Sequence, residues 1–363
     1  MPVCAVSVRD ERLVAPPRVS AGALSRIAAG AAERDADPRF PADAFAVLAA
    51  ERALLLTAEA GVTRADEWAA VRAVAAADGS VGRLYEGHLN AVERVALLAP
   101  EPVRAEALAA VAEGRVLGVW GADPLPIEGE PAWLEPAGGG WALRGVKVFC
   151  SGAGGLDRAL VTARHPLGGP PRLAFVALDD AVEVDRTWFR GAGMRASESH
   201  RVAFHGARVL ALLGGPGELV REPWFSRDAI RTAAAWAGLA DCAADEALAQ
   251  LAARPEPDDA QAIAAARIVA ARATIDRWFE HGAARADAEP GAPLVELAVQ
   301  LRLAVAEAGR SLLDEAARAC GSRPFAIASP LDRARRDFEL FVLQHRLEPL
   351  LVRAGRRLLG AAR

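Results

Sequence analysis

Apolar residues recur at three- and four-residue spacing over residues 21–112: Phe45, Leu48, Leu54 and Leu55, then Trp68, Val71 and Val74. That period places them on one stripe of a helix, so the stretch is predicted to be helical. Asp78-Gly79-Ser80 interrupts the pattern and offers a cap to a helix over 81–98, after which Pro100 and Pro102 punctuate the chain. Between Gly114 and Gly217 the apolar runs shorten to 116–120, 141–143, 147–150, 159–163, 173–178 and 201–204. They are rich in Val, Phe, Trp and Leu and are separated by clusters such as Ala137-Gly138-Gly139-Gly140, which predicts an antiparallel barrel or sandwich. Past Pro223 the helical period returns, with helices predicted over 228–253, 258–282, 293–320 and 330–359. The last has a start signal in Ser329 as N-cap, Pro330 at the first helical position and Asp332 in the first turn. Four long helices with short connections imply an antiparallel bundle, and a stripe such as Leu297, Leu301, Val305 and Leu312 is its core. The expectation is an α+β multidomain chain: an N-terminal α-helical domain (1–113), a middle β-barrel (114–217) and a C-terminal four-helix bundle (218–363).

Composition narrows the function classes. The chain has 363 residues, 52% hydrophobic and 25% charged, with a formal net charge of -4. It has apolar surface enough for a sizeable core and no reason to stay disordered. Forty-three basic against 47 acidic residues give no field to attract nucleic acid or an anionic membrane. No apolar run approaches the ~20 residues of a membrane span, and the N-terminus lacks a basic segment followed by an apolar one. Cys4, Cys150, Cys242 and Cys320 lie far apart without metal-ligand spacing, as expected of reduced core thiols in a cytoplasmic protein.

The β segment carries Gly139-Gly140-Trp141-Ala142-Leu143-Arg144-Gly145-Val146-Lys147-Val148-Phe149-Cys150-Ser151-Gly152-Ala153. After it come Leu160-Val161-Thr162-Ala163-Arg164 and Gly193-Met194-Arg195-Ala196-Ser197-Glu198-Ser199-His200-Arg201-Val202-Ala203-Phe204. Asp78-Gly79-Ser80 with His88 precedes them; Arg227–Gly238 and Pro330-Leu331-Asp332-Arg333-Ala334-Arg335-Arg336-Asp337 follow. This ordered series resembles the acyl-CoA dehydrogenase superfamily over roughly residues 70–360. The resemblance implies a flavin, FAD or FMN, docked where the strand ending at Ser151 meets the helical bundle. It implies Ser151 at the flavin N5 edge, Phe149 beside the ring, and further cofactor contacts from Cys150, Trp120, Asp123, Arg318 and Gly321. A hydroxyl there would stabilise charge that reduced flavin carries toward N1 and N5. The implied activity is oxidation at CH–CH of an acyl thioester, by a homodimer or homotetramer.

The sequence also departs from that pattern. The family's TEPxxGSD loop is here Trp120-Gly121-Ala122-Asp123-Pro124-Leu125-Pro126, without either hydroxyl, and its FAD-binding arginine stretch has no counterpart between Leu248 and Gln261. Dehydrogenation needs a carboxylate to take the α-proton. Where the family places that glutamate, nine residues after Arg336 or just before Arg231, this chain has His345 and Ile230. A histidine at that position, with His88, is similar to the superfamily's flavin-dependent monooxygenase branch. That likeness implies His88, Ser151 and His345, with Asn90, around a C4a-peroxyflavin, an imidazole being a proton donor near neutral pH. Two alternatives therefore stand beside the dehydrogenase: a monooxygenase, and a flavin-less structural paralogue or subunit partner.

Overall fold

The carboxylate of Asp78 accepts the Val81 N–H at 3.1 Å and starts α5 (Gly79–Leu98), as its place in the sequence predicts. Around α5 lie α1 (Ala21–Ala29), α2 (Ala31–Ala36), α3 (Ala42–Ala50), α4 (Arg64–Ala77) and α6 (Val103–Ala112). The computed structural model describes residues 18–344 and 346–360, so Cys4 and His345 lie outside the described residues. The helical stripe residues Phe45, Leu48, Leu54, Trp68, Val71 and Val74 are all buried, and Leu55 packs against that core.

The middle segment forms β1 (Leu117–Trp120), β2 (Trp133–Ala137), β3 (Gly140–Cys150), β4 (Arg158–Ala163), β5 (Arg172–Ala177), β6 (Val182–Asp185) and β7 (His200–Leu213). The strand order is β1-β4-β5-β7-β3-β2, with β6 pairing β7; β1 lies parallel to β4 and the other pairs are antiparallel. One bridge brings β2, at one edge of this sheet, back to the residue after β4. The Leu134 N–H donates to the Arg164 carbonyl at 2.9 Å, and the Arg164 N–H to the Ala132 carbonyl at 2.9 Å. That contact joins β2 to the end of β4 and closes β4, β5, β7, β3 and β2 into a small barrel filled by Leu134, Leu143, Leu160 and Phe175. The two runs predicted over 141–143 and 147–150 are one bulged strand. Gly145 sits at φ +92° between them, where a Cβ would come within 2.8 Å of the Pro131 carbonyl. β2 and β6 were not predicted: Glu135-Pro136 breaks the apolar run of β2, and β6 has only four residues, alternating with charge.

The C-terminal segment folds as α7 (Trp224–Ala252), α8 (Asp259–Ala288), α9 (Val295–Cys320), α10 (Arg323–Ala326), α11 (Pro330–Phe341) and α12 (Glu348–Leu358). Ser329 caps α11 through the Asp332 N–H at 3.2 Å, as predicted. The single helix expected over 330–359 is instead two. Pro349 has no N–H to give and its ring excludes a preceding helical turn, so α12 restarts with it near the N-terminus. The stripe Leu297, Leu301, Val305 and Leu312 is buried. Among the described residues no helix is long and apolar enough to cross a membrane.

Candidate active site

The end of β3 is irregular. Its pairing with β7 shifts register between Lys147 and Cys150, and at the bulge Phe149 takes φ +52°. A bulky side chain in the left-handed region is strained. The Phe149 ring points outward, 44% exposed, with Trp188 edge-on at 4.9 Å. Ser151 follows and is buried. Its Oγ lies 2.8 Å from Ser199 Oγ, which lies 2.8 Å from Ser197 Oγ, and its carbonyl accepts the Trp120 Nε1–H at 3.0 Å. The turn carrying those serines has two more left-handed residues, Met194 and Glu198. Strained non-glycine backbone thus gathers around one buried hydroxyl chain, which is where strain concentrates in functional sites. Cys150 pairs with His200 across the ladder, and burial pushes its thiol well above the ordinary range.

Lys147 holds the neighbouring loop. Its buried ammonium donates to Asp123 Oδ1 at 2.6 Å, Thr162 Oγ1 at 2.7 Å and the Gly121 carbonyl at 3.3 Å. Burial lowers its pKa, against the pull of Asp123. Asp123 therefore ties the loop after β1 to β3 and β4.

On the opposite side of Ser151 stand Arg83, Leu84 and Gly87 of α5, Leu117–Val119 of β1, and Leu156; the gap they leave is about 10 Å³. That is room for about one water. Arg83 Nη1 donates to Glu86 Oε1 at 2.6 Å, its guanidinium lies 5.6 Å from the Phe341 ring centroid, and its buried Nε has no hydrogen-bond partner among the described residues. Arg83 was not singled out from the sequence, because one arginine on a helix reads as a solvated position. The usable signal was its i, i+4 spacing with Gly87 on the helix that Asp78 caps.

The histidine and asparagine of α5 are not brought to Ser151. His88 is fully buried, its Nδ1 accepts the Leu117 N–H at 2.9 Å, and its Nε2 then donates to the Leu54 carbonyl at 2.9 Å. Both nitrogens are engaged in neutral imidazole, and burial lowers its pKa to about 4. Asn90 bonds Glu86 at 2.9 Å and Arg231 at 3.0 Å. Arg231 is the centre of a buried charge network among α4, α5 and α7. It binds Glu67, Glu93 Oε2 at 2.7 Å and Asp228 Oδ1 at 3.0 Å. Burial opposes the Glu93 charge, yet Arg231, Arg94 and Arg227 hold its pKa below the ordinary value; burial pushes Asp228 up to about 7. Arg318 is exposed at the end of α9, paired with Glu315 at 3.4 Å, and Gly321 ends that helix at φ +74°.

Two sequence motifs far apart in the chain meet. The Asp337 carboxylate accepts the Met194 N–H, and Arg336 donates to the Ala192 carbonyl at 2.5 Å and to Asp35 at 2.7 Å. Gly193 is required there: a Cβ would lie 2.1 Å from the Arg336 carbonyl. Arg336-Asp337 therefore clamps the turn that carries the serine chain onto the bundle and α2.

No protein-family model matches the chain. Dibenzothiophene monooxygenase from Rhodococcus erythropolis is 29% identical over 165 residues, 41% of this chain and 38% of that protein. The match thus spans well under half the length of that curated relative. TdsC from Paenibacillus sp. A11-2, solved with FMN and indole, superposes with a TM-score of 0.82 at 22% identity, over 94% of this chain and 96% of that one. Butyryl-CoA dehydrogenase from Megasphaera elsdenii gives a TM-score of 0.82 at 17% identity, over 93% and 95%. Both overlaps run nearly end to end through the helices, the barrel and the bundle, so this chain has the acyl-CoA dehydrogenase fold that its motif series implies.

Proposed function

We propose that the protein is a flavin-dependent oxidoreductase that uses dioxygen on a small-molecule substrate, taking FMN or FAD. The observation that carries this is Ser151: a buried hydroxyl at the end of a strained strand, beside the open Phe149 ring. The chemistry of these groups fits a flavin edge, and the solved TdsC holds FMN with a heterocycle, indole, while the curated relative is a monooxygenase. The 10 Å³ gap toward α5 is too small for a tricyclic ring, which leaves the Phe149 side as its approach. When bound and reduced, the flavin supplies the electrons and the reaction with dioxygen. The protein's part is positional and protonic. Ser151 Oγ, backed by Ser199 and Ser197, offers a hydroxyl whose proton shifts along the chain. Phe149 and Trp188 form an apolar wall on the side the ring approaches, Arg83 brings positive charge to the opposite side of Ser151, and His345, at the position where the resemblance implies the proton-moving residue, is the proton donor.

Oxidation of an acyl thioester is the second reading, supported by the overlap with butyryl-CoA dehydrogenase. It calls for a carboxylate base, and the two positions where the resemblance implies one hold His345 and Ile230. A homodimer or homotetramer in the cytoplasm belongs to the same proposal; Cys150, Cys242 and Cys320 are free thiols.

The test is titration of the purified protein with FMN and FAD, followed by flavin absorbance, in wild type and Ser151→Val. Binding by wild type, weakened in the variant, is expected. The reduced complex should then transfer an atom of isotope-labelled dioxygen to an aromatic heterocycle such as indole. Bleaching of oxidised flavin by an acyl-CoA thioester would replace oxygenation with dehydrogenation, and absence of flavin binding would leave the flavin-less paralogue.

A further inference from the structure

A cavity of about 490 Å³ opens on the other side of the serine turn, between the α2–α3 loop and residues 186–200. Four arginines line it: Arg39, Arg186, Arg190 and Arg195. Two are already neutralised, Arg39 by Glu33 and Asp37 at 2.5 Å each and Arg186 by Glu198 at 3.0 Å. Arg190 uses its Nε on the Thr187 carbonyl at 2.8 Å, and neither Arg190 nor Arg195 has a carboxylate partner among the described residues. His200 also lines the cavity, 5% exposed. Its buried Nδ1 has no hydrogen-bond partner among the described residues, while its Nε2 faces Glu198 at 3.6 Å. The lining thus presents two guanidinium groups without a carboxylate partner among the described residues.

We propose that this cavity binds a ring-bearing phosphate monoester. A phosphate dianion balances the two uncommitted charges, and guanidinium forks match its oxygens. The volume falls in the range of small-ligand pockets and far exceeds a bare phosphate. Phe189, ring centroid 6.5 Å from that of His200, supplies an aromatic wall for a planar ring. The site is separate from the Ser151 crevice and does not rest on the flavin reading: Ser197 and Ser199 face Ser151, whereas the alternate residues Glu198 and His200 line this cavity.

Calorimetric titration of the full chain with inorganic phosphate, AMP and FMN, in wild type, Ser151→Val and the double variant Arg190→Gln/Arg195→Gln, tests it. Neither arginine carries an ion pair, so the double variant is expected to fold, which a melting curve checks. AMP should bind wild type and Ser151→Val alike, more tightly than inorganic phosphate. The double variant should weaken AMP at least about tenfold, as expected for lost charge-assisted bonds, and leave the flavin absorbance change with FMN in place. No AMP binding to wild type, or unchanged affinity in the double variant, overturns the proposal. Loss of the flavin absorbance change in the double variant also overturns it, because the cavity would then be one end of a flavin site.

Discussion

Replacing Asp337 by Asn isolates the charge in the clamp between the bundle and the serine turn. Asp337 is buried, and burial above all, with Asp78 and Asp35 nearby, pushes its carboxyl up to about 7 from the ordinary 3.8. A group whose folded pKa lies above its unfolded value favours the fold when protonated. Its contribution is intact at acid pH and is lost as pH rises through about 7. The loss runs from about pH 4 to about pH 7 at ~1.4 kcal/mol per unit, so the two units above pH 5 carry about 2–3 kcal/mol. Asn keeps an oxygen for the Met194 N–H but cannot ionise, so the variant escapes the loss. Urea unfolding at constant ionic strength should therefore show the stability of Asp337→Asn, relative to wild type, climbing by about 2–3 kcal/mol between pH 5 and pH 8. Asp228, also raised to about 7, is present in both proteins and cancels in the difference. A difference that stays flat with pH, or falls, would refute the burial argument for this carboxylate.

Arg231→Met leaves Glu67 and Glu93 buried without their main partner and should destabilise by about 3–5 kcal/mol in denaturant melts. His88→Gln loses bonds to Leu117 and Leu54, costing about 1–3 kcal/mol of stability with turnover nearly unchanged; a turnover loss with normal stability would make His88 part of the chemistry instead. His345→Ala should lower turnover by about 10²–10⁴-fold at unchanged flavin affinity if the imidazole moves a proton, and unchanged turnover removes it from the mechanism. Ser151→Ala keeps the backbone and removes the hydroxyl, so steady-state turnover with saturating flavin should drop by about 10²-fold.

Local chemistry was legible where it acts over a few residues. Asp78 and Ser329 cap the helices their positions announce, because an N-cap oxygen needs only the N–H three residues on. Strand runs such as 159–163 stood out by composition, whereas β2, with its Glu135-Pro136, did not; its pairing with β3 and the Arg164 bridge hold it in place. The break before α12 was available in Pro349 and was overrun by the apolar period around it. In the site, the motif that carries Ser151 was read from the chain. The company Ser151 keeps was not: Ser199 reaches it from the turn before β7 and Arg83 of α5 lines the same gap, and nothing local marks either neighbour.

What the sequence determined alone is the order of its parts, helices, barrel, bundle, together with the serine at the end of the third strand, since periodicity and short-range capping act along the chain. Tertiary structure decided what each polar residue is for. Two residues of α5, five apart, took opposite roles: His88 had both ring nitrogens filled by backbone, while Arg83 lines the gap at Ser151 with no partner for its Nε among the described residues. A side chain's chemistry follows from which groups fold against it and how much water they remove, and those groups lie tens to hundreds of residues away.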